Sequence, residues 1–334
     1  MNLVLMRAST KGYFLCFFGV FCWSFSEIIV WLLKPRVGVP GSGVGSISLS
    51  FYRFFFGGVF LLVVMIARGD LSGFGELIKR EPALLFLSSV VGLGISNMIY
   101  FLGIQLYGTE AHVGAALYTS YTLFIGVYSI FILNERDNIP LKILGFIIGF
   151  IGTLILLTNF NFAIIMQPDK IMGNILLVLA GAIWGFYSVL GKKIFRRNPG
   201  IENVDVKFTI WSFFLSCIPI AITLPFSEEI PDFLQHDAAE WGLIAFLAIV
   251  SSGIGLYIFF IGVKWIDVSH GISFSLLKPI IAAFFAFVLF TRPIPDAMWV
   301  SVPLVSVAVL LINRKPRKRQ KEVSKNISPF PTRT

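Results

Sequence analysis

The segment 179–195, LAGAIWGFYSVLGKKIF, is an apolar run of small and aromatic residues that ends in a pair of lysines before the last two apolar positions. A shorter stretch of the same type, GVFCWSF, occupies positions 19–25. Aligning the two stretches makes Trp23 the counterpart of Trp184. The similarity indicates that the chain contains an internal repeat, and it directs the search for further matches.

Two further pairs of segments match in the same order and at nearly constant spacing. YFLGIQL at 100–106 corresponds to FFIGVKW at 259–265, and VGAALYTSYTLF at 113–124 corresponds to HGISFSLLKPII at 270–281. Gly103 then pairs with Gly262, and Gly114 with Gly271. The sequence therefore predicts two repeats, at 12–158 and 172–313.

The composition places the chain in a membrane. It is 56% hydrophobic and only 13% charged, with a mean hydropathy of +0.84. Soluble domains are about 45–50% apolar and about 25% charged. The cysteines Cys16, Cys22 and Cys217 all lie in apolar runs, so we interpret them as small buried hydrophobic residues. We expect no disulfide framework, metal site or cofactor.

A membrane-spanning helix requires about 20 mostly apolar residues. The segments that qualify as spans, numbered first to tenth, are 12–33, 47–67, 83–106, 112–133, 141–158, 172–194, 206–225, 241–263, 270–290 and 296–313. Because each repeat has an odd number of spans, the two repeats must cross the membrane in opposite directions. The predicted fold is an all-α membrane protein with ten transmembrane helices arranged as two inverted five-helix repeats, an arrangement typical of secondary transporters.

Lysine and arginine predict the orientation. Most of the 27 basic residues lie in segments on the side of the chain ends, and the other side holds only Lys34, Arg36, Lys170 and Arg292. Basic segments favour the cytoplasm. We therefore predict an inner-membrane protein with a short cytoplasmic amino end (1–11) and a basic cytoplasmic tail (314–334).

The tail is expected to attract anionic membrane lipid. Binding to nucleic acid is not expected, since the basic residues serve topology. The sequence favours no oligomeric state, and a monomer is compatible with it.

Several motifs resemble the drug/metabolite transporter superfamily in its EamA-type branch, over about 12–313. Gly173 with the segment 179–195 resembles the helix that opens an EamA repeat. Arg53 resembles the arginine near the start of the family's second helix, Glu135-Arg136 the pair that ends the fourth, and Pro279 the proline within the ninth. The resemblance implies a central cavity and alternating access. It does not fix the substrate, since the family carries amino acids, other metabolites and drugs.

The sequence departs from the family pattern at three positions. Thr122 stands where the fourth helix usually has proline, Arg292 where a glutamate follows the ninth helix, and Ser24 where the first helix usually has glycine. The two repeats are therefore not expected to have identical gating helices.

Glu27 and Arg53 are ionisable residues inside predicted spans, where a charge costs about 2.5–3.5 kcal/mol on insertion scales. Each lies roughly 10 Å from the outer end of its helix at the α-helical rise. Three interpretations of Glu27 remain open: an ion pair with Arg53, a titrating carboxylate that couples transport to protons, or a contact with a substrate amine.

Lys278 is the third ionisable residue that lies well inside a predicted span, roughly 10 Å from the inner end of the ninth. Glu27 is the only acid at such a depth, since Asp296 stands at the first position of the tenth span. We therefore predict that Lys278 faces a hydrated cavity and contacts an anionic group of the substrate; hydrogen bonds to carbonyls and hydroxyls across helices are the alternative. Pro279 frees the carbonyl of Ser275, which we expect water or a ligand to satisfy.

Aromatic residues complete the candidate site. Tyr118 and Tyr121 share a helix face, and the repeat makes Tyr121 the counterpart of Lys278 and Thr122 that of Pro279. The further candidates are Trp184 and Tyr257, each with helix packing as the alternative. The predicted substrate-binding residues are Lys278, Tyr118, Tyr121, Glu27, Tyr257 and Trp184, and the predicted gating residues are Pro279, Thr122 and Glu135.

These features predict a secondary transporter that exports or exchanges a small polar metabolite, such as an amino acid or a related zwitterion or anion. The alternative substrate is an organic cation held by aromatic faces and Glu27. An intramembrane enzyme would need a Ser/His dyad, paired aspartates or a histidine cluster, and the predicted spans contain none of these. A channel is not favoured, since no segment resembles a filter loop.

Overall fold

The structure, a computed structural model, describes residues 2–33, 43–105, 116–227, 229–230, 233–290 and 295–314, and the regular structure in these ranges is helical. The α-helices are Asn2–Leu32, Ser46–Ala67, Phe74–Arg80, Pro82–Phe86, Ser96–Gln105, Tyr121–Ile132, Ile139–Thr158, Ile171–Arg197, Val204–Thr223, Ala238–Phe246, Gly255–Trp265, Val268–Ser273, Lys278–Phe290 and Met298–Ile312. Leu87–Ile95 and Leu247–Ile254 are π-helical. Phe162–Met166, Leu224–Phe226 and Phe274–Leu277 are 3₁₀ turns. The tail beyond residue 314 lies outside the described residues.

These helices confirm the predicted all-α membrane architecture. In the described residues, 8 helical segments are long and apolar enough to cross a membrane. They are Thr10–Val30, Ser46–Ala67, Pro82–Tyr100, Ile139–Thr158, Ile171–Arg197, Val204–Phe226, Ala238–Trp265 and Val268–Phe285. The shorter apolar helices Ala116–Ile132 and Met298–Ile312 lie at the predicted fourth and tenth spans. Large apolar side chains such as Phe131 and Trp299 are more than 70% exposed, as expected for a lipid-facing surface.

The first helix starts earlier than predicted, at Asn2 instead of residue 12. Its apolar membrane segment is Thr10–Val30. Residues 2–9 contain neither glycine nor proline, so nothing in the local sequence ends the helix where the apolar run begins. Hydropathy therefore located the membrane segment while the helix itself extends beyond it.

Contacts between spans repeat when the two halves of the chain are exchanged. The first span packs on the eighth, and its counterpart, the sixth, packs on the third. The second span packs on the π-helical segment of the eighth, and the seventh packs on the π-helical segment of the third. The fifth and tenth spans pack on each other. The bundle therefore has the pseudo-two-fold pattern expected of two related repeats.

Glycines allow the closest of these approaches. A Cβ at Gly262 would lie 2.8 Å from the carbonyl oxygen of Gly12 and 2.9 Å from the amide nitrogen of Cys16. At the corresponding contact of the other repeat, a Cβ at Gly103 would lie 3.0 Å from the carbonyl oxygen of Gly173. Backbone contact of this kind between helices requires small residues. The repeat matches Gly103 and Gly262 therefore reflect a shared packing requirement.

Spans around the centre of the bundle are irregular at matching positions. The third and eighth spans become π-helical at Leu87–Ile95 and Leu247–Ile254. In the ninth span, the turn Phe274–Leu277 is 3₁₀ and leads into Lys278–Phe290. Irregular backbone at membrane depth is tolerated where it is buried in protein or lines a cavity. The site is therefore expected among these turns.

The fourth span has a tight turn at the position that corresponds to Phe274–Leu277. The amides of Thr119, Ser120 and Thr122 donate to the carbonyls of Ala116, Leu117 and Thr119, all at 3.1 Å. These are i to i+3 bonds, and the Thr122 hydroxyl also donates to the Thr119 carbonyl at 3.0 Å. The tight turn is therefore common to both repeats, although only the ninth span contains a proline there.

The ends of the bundle differ in charge. The basic end, as we call it, carries Arg68, Arg136, Arg196, Arg197 and Lys264. The opposite end carries Glu229, Asp237 and Glu240 in and beside the loop between the seventh and eighth spans. There the Glu229 carboxylate accepts hydrogen bonds from the amides of Ile47 (3.1 Å) and Ser48 (2.7 Å) at the start of the second span. A carboxylate at a helix N-terminus is stabilising. The loop is thereby attached to the start of the span that carries Arg53.

Candidate functional site

A cavity of about 730 Å³, including its opening, lies at the centre of the bundle. It is lined by Trp23, Ser26, Val30, Arg53, Leu93, Asn97, Tyr100, Tyr118, Tyr121, Trp184, Leu256 and Lys278. Val30 lies within one turn of the end of the first helix, so the cavity extends to the opposite end of the bundle.

The irregular turns place several of the lining residues. Leu93 lies in the π-helical segment of the third span, and Leu256 follows that of the eighth. Tyr121 and Lys278 each begin the helix that follows a tight turn. Residues that correspond in the two repeats therefore converge on one cavity from opposite sides.

The Ser275 carbonyl accepts a hydrogen bond from the backbone of the same turn. Pro279 has no N–H to donate to it, and the Lys278 amide donates instead, in the i to i+3 pattern of the 3₁₀ turn. The expectation that water or a ligand satisfies this carbonyl was therefore wrong. The proline tightens the turn that presents the lysine.

Arg53 and Lys278 provide positive charge in the cavity. Arg53 is on the second span, and its Nε donates to Ser252 Oγ of the eighth span at 2.7 Å. Both cations also interact with other protein groups. The Glu27 side chain lies outside the described residues, so an ion pair with Arg53 stays one of the three open interpretations of Glu27. A cavity lined by two cationic side chains favours an anionic ligand group.

One wall of the cavity is aromatic. The ring centroids of Tyr121 and Trp184 are 4.5 Å apart, those of Tyr100 and Tyr118 are 4.6 Å apart, and those of Tyr118 and Tyr121 are 5.5 Å apart. The Tyr118 hydroxyl lies 3.4 Å from Ser96 Oγ. These contacts form a continuous surface against which an aromatic or apolar group can pack.

Trp23 adds a hydrogen-bond donor to this wall. Its ring meets Trp184 edge-on, with centroids 6.1 Å apart, at the interface of the two repeats. Trp23 is 5% exposed, and its Nε1 has no acceptor among the described residues. A buried donor without a partner is costly. The indole N–H is therefore a candidate to donate to a ligand in the cavity.

The predicted site residues fall into three groups. Lys278, Tyr118, Tyr121, Trp184 and Arg53 lie in the cavity lining. Tyr257 does not, and it lies instead near the charges of Asp205 and Arg68 at the basic end. Its inclusion in the predicted substrate site is therefore corrected for this conformation. The predicted gating residues lie elsewhere: Thr122 and Pro279 are each the second residue of the helix that follows a tight turn, and Glu135 lies at the basic end.

Sequence reasoning missed some of the lining. Ser26, Asn97 and Tyr100 were not proposed, and Trp23 was singled out only as the repeat counterpart of Trp184. Polarity inside an apolar span was the available signal for Asn97, whose amide donates to the Leu93 carbonyl at 2.8 Å. Serines occur so widely in these spans that no sequence signal distinguishes Ser26 from the rest.

A buried contact around Glu135 closes the basic end. Arg196 Nη2 of the sixth span lies 3.1 Å from Glu135 Oε1, and the amide of Val268 in the ninth span donates to the same oxygen at 3.3 Å. The Ser269 hydroxyl donates to Glu135 Oε2 at 3.3 Å. The partner of Glu135 is thus Arg196, while the neighbouring Arg136 is exposed. One carboxylate joins the ends of three spans.

Further contacts surround this one. Lys142 Nζ is 3.4 Å from Asp267 Oδ2, and Lys192 Nζ donates to the carbonyl of Ile266 at 2.7 Å. The hydroxyl oxygen of Tyr13, in the first span, lies 3.3 Å from Nδ1 of His270. The basic end is therefore closed by interactions between both repeats, and the cavity lies behind them.

The environment of Glu135 shifts its titration. Burial, followed by the nearby Asp267 carboxylate, raises the pKa of Glu135 from 4.5 to about 7. Lys192, the amide of Val268 and Arg196 act in the opposite direction, because each stabilises the ionised carboxylate. Burial outweighs them. Glu135 therefore titrates near neutral pH in this closed arrangement.

The chain is similar to proteins that are named transporters. An uncharacterized transporter of Bacillus subtilis, YyaM, is 24% identical over 83% of this chain and 88% of its own length. The aromatic amino acid exporter YddG of Ancylobacter novellus is 27% identical over 73% of this chain and 79% of its own. A solved crystal structure superposes with a TM-score of 0.71 at 20% identity, covering 96% of this chain and 99% of the other.

The profile of one family covers nearly all of the sequence. The EamA-like transporter family matches at residues 10–158 and again at 171–314. The family and the named relatives are transporters and not enzymes. The resemblance found in the segment 179–195 extends over both repeats, and the chain therefore belongs to the EamA-like transporter family.

Proposed function

We propose that this protein is a secondary transporter that exports or exchanges an aromatic amino acid, or a related aromatic carboxylate, by alternating access. The observation that carries the proposal is the cavity in which Arg53 and Lys278 lie beside Tyr118, Tyr121 and Trp184. The cations match a carboxylate, and the rings match an aromatic side chain. The name of the YddG relative supports the same substrate class.

An organic cation is the less favoured substrate. Aromatic faces do bind cations, but the described cavity lining contains two cationic side chains, and they would repel a positively charged ligand. A zwitterion avoids this conflict if its carboxylate lies near the cations and its ammonium lies towards Glu27. The Glu27 side chain is outside the described residues, so this last contact rests on the sequence alone.

The conformation supports alternating access. The cavity reaches the opposite end of the bundle, and the buried Glu135 contact closes the basic end. If basic segments face the cytoplasm, as we propose for this inner-membrane protein, the conformation is outward-facing. Export then requires that the Glu135 contact opens so that substrate can enter from the cytoplasm.

A ligand comparison tests the proposal. Purified full-length protein is titrated calorimetrically with L-tryptophan, indole-3-propionate and tryptamine, which share a ring system and differ in their charges. We expect heat of binding from the two carboxylates and none from tryptamine, because only the carboxylates match the cations of the cavity. Counterflow of labelled L-tryptophan in proteoliposomes then tests transport.

The pattern of binding decides between the substrate classes. Binding of tryptamine without binding of indole-3-propionate would replace the carboxylate proposal with the organic-cation alternative. L-Leucine serves as the control for the aromatic wall, since it has the same charged groups without the ring. Equal affinity for L-leucine and L-tryptophan would remove the aromatic part of the proposal.

Opening of the basic end is expected to depend on pH. With a pKa of about 7 when closed and an ordinary value of about 4.5 when the carboxylate is hydrated, Glu135 binds more protons in the closed state. Acidification below pH 7 therefore favours the closed basic end, and this preference is lost as the pH rises through 7. Spin labels on Arg136→Cys and Trp265→Cys report the separation of the fourth and eighth spans by pulsed electron resonance.

The control is Glu135→Gln, which cannot titrate. In the protein with Glu135 intact, we expect the population with longer label separation to grow between pH 6 and pH 8. In Glu135→Gln the same distribution should not change with pH. A pH response of equal size in both proteins would assign the titration to another group, and Asp267 and His270 are the neighbours to test next.

A further inference from the structure

Ser252 lies in the π-helical segment of the eighth span and contacts a cation of the cavity. The Ser252 side chain is fully buried, and its Oγ accepts a hydrogen bond of 2.7 Å from Arg53 Nε. Arg53 belongs to the first repeat and Ser252 to the second. An irregular turn of one repeat is thereby connected to a charged group that the other repeat places in the cavity.

The geometry of a guanidinium makes this contact informative. Its five N–H donors lie in one plane, so a bond to Nε restricts the direction of the remaining donors. Recognition of a carboxylate by arginine depends on that direction, because the favoured arrangement is two parallel N–H···O bonds. A hydroxyl that holds Nε therefore influences carboxylate binding without touching the carboxylate.

The π-helical backbone accounts for the position of this hydroxyl. Ser251 and Ser252 are adjacent, and both are fully buried. A π-helical turn is wider than an α-helical one and occurs frequently at functional sites. The turn brings Ser252 against the second span at the level of Arg53, while Leu256, one turn later, lines the cavity.

The other repeat contains a matching contact without a cation. Ser89, in the π-helical segment of the third span, donates to Ser212 Oγ of the seventh span at 3.1 Å. Both serines are fully buried, and neither is among the residues that line the cavity. The two contacts join equivalent pairs of spans. The serine pair is therefore a contact between the equivalent spans that involves no cation of the cavity.

We propose that Ser252 is a positioning residue of the cavity, which sets the plane of the Arg53 guanidinium for a carboxylate ligand. The proposal rests on the proposed function for the nature of that ligand. Ser252 acts through Arg53, and its contribution is to orientation.

The first test compares two alanine variants, each of which removes one of these two contacts. Ser252→Ala is expected to raise the Kd for indole-3-propionate about tenfold, because a hydrogen bond to a charged group is lost. Ser212→Ala removes the serine contact of the other repeat and should change this Kd less than about twofold. Equal effects of the two variants would overturn the proposal. Ser252→Cys, a weaker acceptor of similar size, gives the same comparison if the alanine variant fails to fold.

A double-mutant cycle distinguishes positioning from general packing. Arg53→Lys replaces the planar guanidinium with an ammonium group that has no Nε–H to hold. In that background, Ser252→Ala should change the Kd less than about twofold, because the interaction it removes is already absent. A further tenfold loss in the Arg53→Lys background would show that Ser252 acts independently of Arg53.

A ligand-free measurement separates this proposal from the proposed function. In protein labelled with ¹⁵N-arginine, Arg53→Lys identifies the Nε–H resonance of Arg53, and its exchange with water is measured. Ser252→Ala should accelerate that exchange about fivefold or more, whereas Ser212→Ala should leave it unchanged. If no carboxylate binds the wild-type protein, the proposed function fails, and the exchange rate alone then decides whether Ser252 orients Arg53. An unchanged exchange rate in Ser252→Ala would overturn the proposed role of Ser252.

Discussion

Lys278→Met is expected to raise the Kd for L-tryptophan about 100-fold, because removing one partner of a desolvated charge pair costs about 2–5 kcal/mol. Methionine retains much of the length and apolar volume of the lysine stem, so the cavity should keep its shape. Lys278 is the first residue of the helix Lys278–Phe290, directly after the 3₁₀ turn, and its side chain lines the cavity. Calorimetry on the purified protein measures the Kd, and counterflow in proteoliposomes measures the accompanying loss of transport.

Stability separates this effect from misfolding. A charged side chain inside a span costs about 2.5–3.5 kcal/mol on insertion scales, so Lys278→Met should unfold at the same temperature as the wild type or higher. A variant that is equally stable and fails to bind has lost a ligand contact. A large fall in the melting temperature would instead show that Lys278 mainly stabilises the folded protein.

Lys264→Met is the matched control. Lys264 lies in the last turn of the helix Gly255–Trp265 and pairs with Asp205 at 2.8 Å near the basic end, outside the described cavity lining. The substitution is chemically the same, and we expect it to leave the Kd for L-tryptophan within about twofold. Unchanged binding in Lys278→Met, or equal losses in both variants, would contradict the proposed role of Lys278.

Gly262→Ala is expected to destabilise the protein by about 2–3 kcal/mol through overpacking. The added Cβ would lie 2.6 Å from Cys16 Sγ and within 2.9 Å of backbone atoms of the first span. The backbone of a packed helix cannot move away without separating the first span from the eighth. Unfolding in mixed micelles of increasing sodium dodecyl sulfate measures the free energy of unfolding.

Gly75→Ala is the control, and it tests whether the destabilisation by Gly262→Ala comes from close packing at Gly262 or from any exchange of glycine for alanine. Gly75 lies in the short helix Phe74–Arg80, and a Cβ there would meet nothing within 4 Å. Alanine is the better helix former, by up to about 1 kcal/mol, so Gly75→Ala should be neutral or stabilising. Similar destabilisation by both variants would show that close packing at Gly262 is not the cause.

Much of the fold could be predicted from the sequence, because hydropathy and repeat matching depend on local composition. The helices and apolar segments lie close to the predicted spans, and the matched glycines Gly103 and Gly262 occupy equivalent helix contacts. The early start at Asn2 was not predictable from hydropathy, which detects the membrane segment and not the end of the helix. The tight turn of the fourth span also escaped prediction, since it contains no proline.

The candidate site was predictable only in part. Ionisable residues inside spans are conspicuous, so Arg53 and Lys278 were singled out. Which aromatic residues join them depends on how distant helices rotate against one another. Tyr257 therefore lies outside the described cavity lining although the sequence suggested it, and Tyr100 lies in that lining although it was not proposed. The partner of Glu135 could not be predicted for the same reason. Arg196 lies 61 residues further along the chain, at the end of the sixth span, and contacts Glu135 only in the folded bundle.

By itself, the sequence determined that this chain is a membrane protein of two related helical repeats with cations within its spans. The free energy of inserting a segment is a sum over that segment's own residues, so it can be evaluated without knowing its neighbours. Only the tertiary structure decided that Arg53 and Lys278 meet in one cavity, that Ser252 holds Arg53, and that Glu135 closes the basic end. Those contacts join residues far apart in the chain, and their geometry depends on helix rotation and on the irregular turns, which no single segment specifies.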